Sequence, residues 1–90
     1  MTKAVESKRM KIHFIGIGGI GISGLAQYMR YKGHEISGSD IAETLITQKL
    51  RKLGISITIP HDASAINEQD LVVHSAIIRP DNPEVIAAKA

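Results

Sequence analysis

The stretch Ile12-His13-Phe14-Ile15-Gly16-Ile17-Gly18-Gly19-Ile20-Gly21 constrains this chain more than any other: an apolar strand-like segment empties into a turn with four glycines in six positions. Glycine loses the most conformational freedom on folding and adds no packing side chain, so such a cluster belongs where backbone must approach backbone or a ligand. In a strand–turn–helix setting, Gly16 allows the tight turn, Gly18 lets main-chain N–H groups reach a pyrophosphate, and Gly21 lets the next helix lie close to the sheet. An anion would then rest at the positive end of that helix.

The rest of the chain supplies the remaining elements. Ile20 to Lys32 places Ile20, Ile22, Leu25 and Met29 at roughly helical spacing and closes on Gly33, which predicts a crossover helix with a left-handed cap. His34 to Asp40 is a short strand ending in the small polar group Ser37-Gly38-Ser39-Asp40. Glu43 to Leu53 predicts a second helix with Leu45, Ile46, Leu50 and Leu53 on its apolar face and Gly54 as its stop. Ile55 to Ile59 alternates with period two up to Pro60 and reads as a third strand. One helical turn is expected around Ala63 to Ile66, then a buried-type strand over Leu71 to Ser75. Asp81-Asn82-Pro83-Glu84 opens a last helix with a capping residue, proline at the first helical position and an acid in the first turn. The order β-α-β-α-β-β-α predicts an α/β fold: a Rossmann-like open parallel sheet with helices on both faces, strand order 3-2-1-4.

Ninety residues, 43% of them hydrophobic, suffice for one core. With no Trp and one Phe, it must be built from aliphatic side chains, as in a parallel sheet. A net charge of +2 with scattered basic residues gives no nucleic-acid stripe. No apolar run approaches the ~20 residues of a membrane span, so no membrane partner and a cytoplasmic location are expected. The absence of cysteine rules out thiolate chemistry and disulfides. Residues 1–9 read as a flexible leader to a domain over 10–90. The last helix runs through Ala87-Ala88-Lys89-Ala90 without a stop signal, which predicts that the fold is truncated, an excised domain of a larger protein.

Candidate site residues gather at the carboxyl ends of the strands, where open α/β sheets bind ligands. Asp40 stands where a ribose-binding acid belongs, or else caps the second helix. Ser39 shares that ambiguity. His61 follows Pro60 on the same rim, and Ser75, Ala76 and Ile77 leave the fourth strand beside the glycine loop with room for a ligand. No histidine pair has metal-ligand spacing and no nucleophile elbow is present, so neither a metal site nor a catalytic residue is expected here. His13 and His74 read as histidines packed or hydrogen-bonded within the sheet.

Taken together, Gly16-Ile17-Gly18-Gly19-Ile20-Gly21 with Ser23-Gly24-Leu25-Ala26, Gly38-Ser39-Asp40, Pro60-His61, Ser75-Ala76-Ile77 and Asp81-Asn82-Pro83-Glu84 resemble the amino-terminal domain of the Mur ligases. The resemblance covers nearly everything from Met10 to Ala90. It implies that the domain holds the UDP part of UDP-N-acetylmuramic acid. By the same resemblance, Gly18, Gly19, Ile20 and Gly21 offer amides to the diphosphate, Ser39, Asp40 and His61 surround the uridine, and Ser75, Ala76 and Ile77 border the sugar. In such a ligase ATP, with Mg, activates the lactyl carboxylate and the amine of L-alanine attacks the acyl phosphate. That chemistry belongs to central ATPase and carboxy-terminal domains, since this chain has no GxxxxGK[ST] loop. The expectation is a domain that binds without catalysing and carries no cofactor of its own. Two other readings stay open on the residues alone: an NAD(P)-binding module, and a Rossmann scaffold used for protein contacts.

Overall fold

The computed structural model describes residues 9–90; of the expected flexible leader, Met1 to Lys8 lie outside the described residues. Four strands form one parallel sheet: β1 (Lys11–Ile15), β2 (Glu35–Ser39), β3 (Ser56–Thr58) and β4 (Leu71–His74), in the order β3-β2-β1-β4. Between them run α1 (Ile20–Tyr31) and α2 (Leu45–Lys52), then a single 3-10 turn at Ala63–Ala65, and α3 (Pro83–Lys89) closes the chain. Registers such as Phe14 opposite Gly38 and Val73, and Gly38 opposite Ile57, align the carboxyl ends of the strands on one rim. The expected open Rossmann-like sheet and its strand order are therefore what the chain forms.

Alternation along the strands sorts the side chains to two unlike faces. Ile12, Phe14, Ile36 and Ile57 pack with Ile17, Ala26, Leu50 and Ile55 into the aliphatic core beneath α1 and α2. On the opposite face His13 and Ser39 are buried against Glu84 at the start of α3. Gly33 and Gly54 end α1 and α2 at positive φ, as their positions in the sequence predict.

Several expectations need correction. In α1 Ile20 is 87% exposed and Leu25 is exposed as well, while Ser23 and Ala26 are buried. The inward stripe is thus Ile22, Ser23, Ala26 and Met29. Small residues are needed on it because the helix crosses close over the sheet, and Ser23 satisfies its hydroxyl on the Ile20 carbonyl at 3.0 Å. The same shift occurs in α2, where Leu45 is 83% exposed and Thr47 is fully buried with Leu50. That helix starts two residues later than predicted because Thr44 and Thr47 form a reciprocal capping box. Asp40 is consequently not its cap. β4, read as a buried strand, is half-buried with exposed ends, since it is the sheet edge.

Gly38, not Gly21, is the glycine that permits close packing. A Cβ on Gly38 would stand 2.7 Å from the Cβ of Ile17 and 2.8 Å from its Cγ2, whereas one on Gly21 would meet nothing within 4 Å.

Candidate functional site

A cleft of about 760 Å³ opens on the carboxyl rim of the sheet between the glycine loop, Asp40–Ile41, His61, and the segment from Ser75 to Pro83. Gly16 takes φ +80 at the start of the loop, a conformation that a side chain disfavours. Its amide and that of Ile17 both donate to the Ser39 carbonyl, at 2.8 and 3.0 Å, which ties the loop to the end of β2.

The loop amides divide into two groups. Gly18 N–H donates to Asp40 Oδ2 at 2.7 Å and Gly19 N–H to the Gly16 carbonyl at 3.0 Å. These two, expected to face a diphosphate, are therefore engaged within the protein. A Cβ on Gly18 would lie 2.7 Å from that carboxylate oxygen, so the glycine makes room for Asp40 rather than for a ligand. The first intrahelical bond of α1 is Ser23 N–H to the Gly19 carbonyl, and no side chain caps the helix. The amides of Ile20, Gly21 and Ile22 are left without an acceptor among the described residues. They lie at the positive end of a three-turn helix, on the wall of the cleft.

Of the other predicted residues, Asp40, His61, Ser75 and Ile77 line the cleft, whereas Gly18, Ser39 and Ala76 do not. Asp40 accepts from Gly18 N–H and, through Oδ1, from Ile41 N–H at 2.8 Å, so it clamps the loop to β2 while facing the cleft. Ser39 is fully buried and cannot surround a ligand directly. Its hydroxyl donates to Glu84 Oε1 at 2.6 Å and lies 2.8 Å from His61 Nδ1.

Two contributors escaped the sequence reading. Arg79 is a cation on the cleft wall, its side chain 80% exposed and 3.2 Å from Asp81, which is itself 70% exposed. Glu84 was expected only as an acid favouring the first turn of α3. It is instead turned inward and fully buried, with Oε1 accepting from His13 Nε2 at 2.7 Å and from Ser39, and Oε2 accepting from Asp62 N–H at 2.8 Å. His61 Nδ1 lies 3.6 Å from Oε2. Burial by itself pushes this carboxyl up. The hydrogen bonds from His13, Ser39 and the Asp62 amide, with the attraction of His13, outweigh burial and hold it below the usual glutamate range. His13 completes its bonding across the strands, with Nδ1 2.8 Å from Ser37 Oγ. The signal in the sequence was an acid directly after an Asn-Pro helix start, a pattern that capping explains without any inward contact.

Among the described residues, no group of three or more acidic or histidine side chains is placed to hold a metal ion, and no helix is long and apolar enough to cross a membrane.

Comparison with known proteins bears on what the cleft serves. The profile of the Mur ligase family, described as its catalytic domain, matches residues 11–90. A UDP-N-acetylmuramate–L-alanine ligase of Helicobacter pylori is 61% identical over 79 residues, which are 88% of this chain and 18% of that protein. The enzyme of the same name from Campylobacter curvus is 53% identical over the same share of each. Among solved structures, UDP-N-acetylmuramate-alanine ligase MurC of Thermotoga maritima superposes with a TM-score of 0.87 at 48% identity, over 90% of this chain and 19% of that one. A UDP-N-acetylmuramate:L-alanyl-gamma-D-glutamyl-meso-diaminopimelate ligase from Neisseria superposes with a TM-score of 0.78 at 31% identity, over 89% of this chain and 25% of that one. The chain thus spans about a fifth of the length of these alanine ligases.

Proposed function

The chain belongs to the Mur ligase family, and on that premise we propose that residues 10–90 bind the UDP group of UDP-N-acetylmuramic acid for an enzyme that joins L-alanine to it at the expense of ATP. The observation that carries the reading is the set of unmatched amides at Ile20, Gly21 and Ile22, which open on a cleft whose wall also holds Arg79. A diphosphate matches that set: it supplies acceptors to the amides, negative charge to the helix end, and a partner for the guanidinium. The uridine would extend toward Asp40 and His61, and the sugar toward Ser75 and Ile77.

In this reading the domain binds and does not catalyse. Holding the remote nucleotide supplies binding energy that positions the reacting carboxylate in front of groups outside this chain. ATP and Mg would be handled by the central and carboxy-terminal domains of the parent protein, which would be the partners of this one, together with a cytoplasmic location. Gly18, Ser39 and Ala76 would then shape the site from outside the cleft lining, and Gly19 would line it with its amide turned to the Gly16 carbonyl. For one domain out of several, affinity should fall between about 1 µM and 1 mM.

The test is an amide-resolved NMR titration of this chain with UDP-N-acetylmuramic acid, UDP, uridine and NAD. The uridine diphosphates should move Ile20, Gly21 and His61, and Arg79→Ala should weaken UDP about tenfold while hardly affecting uridine, since a hydrogen bond to a charged group contributes about 1.5–3 kcal/mol. A response to NAD and none to UDP would replace this reading with a dinucleotide module.

A further inference from the structure

We propose that Glu84 is a positioning residue that sets the tautomer of His61, so that the ring presents an unprotonated Nε2 to the cleft as a hydrogen-bond acceptor for a donor group on the bound nucleoside. The inference rests on the nucleotide reading above and assigns a job to a carboxylate in which that reading has no direct part.

The argument is a proton count. An ionised carboxylate only accepts. Glu84 Oε1 lies 2.6 Å from Ser39 Oγ and 2.7 Å from His13 Nε2, and Oε2 lies 2.8 Å from Asp62 N. Hydrogen bonds from all three neighbours keep the group charged in its buried position. The single hydroxyl proton of Ser39 must therefore point to Glu84, because turning it elsewhere would set two oxygens 2.6 Å apart with no proton between them. His61 Nδ1, 2.8 Å from the same Ser39 oxygen, then has no proton to receive and must supply one. In the neutral ring the second nitrogen, Nε2, is left with its lone pair.

The position of that nitrogen gives the count a consequence. His61 lines the cleft, its side chain is 10% exposed, and no buried side-chain nitrogen or oxygen among the described residues lacks a partner. Nε2, which has no protein partner among the described residues, is therefore accessible, on a ring that lines the cleft. Glu84 also fixes where the ring stands, since Oε2 holds the amide of the next residue, Asp62. A ligand that offers N–H or O–H at this point is matched; one that offers only a lone pair is opposed. Of the pyrimidine nucleosides, uracil carries a ring N3–H where cytosine carries a bare N3, so the ring of His61 would favour UDP over CDP if the base docks there, and a ribose hydroxyl would be matched without discriminating the base.

The test reads the imidazole nitrogens of this chain by long-range nitrogen–proton NMR near pH 8, before and after addition of UDP or CDP. In the free wild-type chain His61 should be protonated at Nδ1; protonation at Nε2 overturns the proposal outright. Glu84→Gln should mix the tautomers of His61 and weaken UDP about tenfold, and a folded Glu84→Gln chain with the tautomer unchanged also overturns it. Should that variant fail to fold, Ser39→Ala serves: it removes the acceptor at Nδ1 and should shift the ring toward the Nε2-protonated form. UDP should perturb the Nε2 resonance. If UDP moves the amides of Ile20 and Gly21 but leaves His61 Nε2 unaffected, the nucleotide reading stands and this proposal falls; if UDP moves neither, the nucleotide reading falls first and takes the ligand role of His61 with it.

Discussion

Replacing Gly38 with alanine should destabilise the domain by about 2 kcal/mol, although the change adds one methyl group to a strand. The added Cβ would stand 2.7 Å from Ile17 Cβ and 2.8 Å from Ile17 Cγ2. A rotamer change cannot relieve the first contact, because a Cβ is placed by its backbone and not by χ1. The backbone cannot yield cheaply either. Gly38 is paired on both sides, with Phe14 and with Ile57. Ile17 is fully buried, and its amide is held by the Ser39 carbonyl, one residue from the substitution. Overpacking of this kind costs about 1–3 kcal/mol, and a clash on two fixed atoms belongs near the upper end. Alanine recovers about 0.5–1 kcal/mol relative to glycine in a strand. The remaining ~2 kcal/mol should lower Tm by about 8–16 °C in a domain of this size. Thermal and urea unfolding followed by circular dichroism, wild type against Gly38→Ala, reads this directly. An unchanged or raised midpoint would refute the claim that the glycine loop is seated by the contact between Ile17 and β2. Because the loop carries the cleft, the ligand-induced shifts at Ile20 and Gly21 should weaken along with stability.

Gly21→Ala should behave in the opposite way. Its new Cβ meets nothing within 4 Å, so helix propensity should raise stability by about 0.5–1 kcal/mol, while UDP binding weakens through crowding of an amide on the cleft wall; a loss of stability in denaturant titrations would restore the close-packing role the sequence suggested. The pH dependence follows from Glu84, whose carboxyl is held below its ordinary range in the folded chain. A depressed folded pKa means that the unfolded chain binds the proton more readily. The stabilisation is then complete above the unfolded value of about 4.3 and is lost as pH falls from there through the folded value. Urea midpoints measured from pH 7 down to 3 should therefore drop steeply for wild type and less steeply for Glu84→Gln, and parallel curves would show that Glu84 contributes nothing to acid sensitivity.

The sequence by itself determined the elements and their order, because the signals are local. Apolar runs of strand length, glycines past the helix ends, the Asn82-Pro83 start and the strand–turn–helix setting of the glycine loop each depend on a few neighbouring residues. The inference of strand order from crossover rules needed little more. What the sequence could not supply was the direction of particular side chains. Ile20 and Leu45 look like core residues and point outward, while Ser23 and Thr47 look polar and are buried, since helix rotation answers to close packing over a sheet and to local hydroxyl bonding rather than to hydropathy alone. The same holds for the loop. Its glycines announce a close approach, but only the fold reveals that Gly18 yields space and its amide to Asp40, leaving the helix amides of Ile20 to Ile22 without an acceptor among the described residues. Glu84 is the fullest case: His13, Ser39 and the pair His61-Asp62 meet it from three separate segments of the chain, and a hydrogen-bond network assembled across such separations has no signature in any one of them. Tertiary structure alone decides it, because a buried carboxylate is tolerated only where several donors converge on it at once.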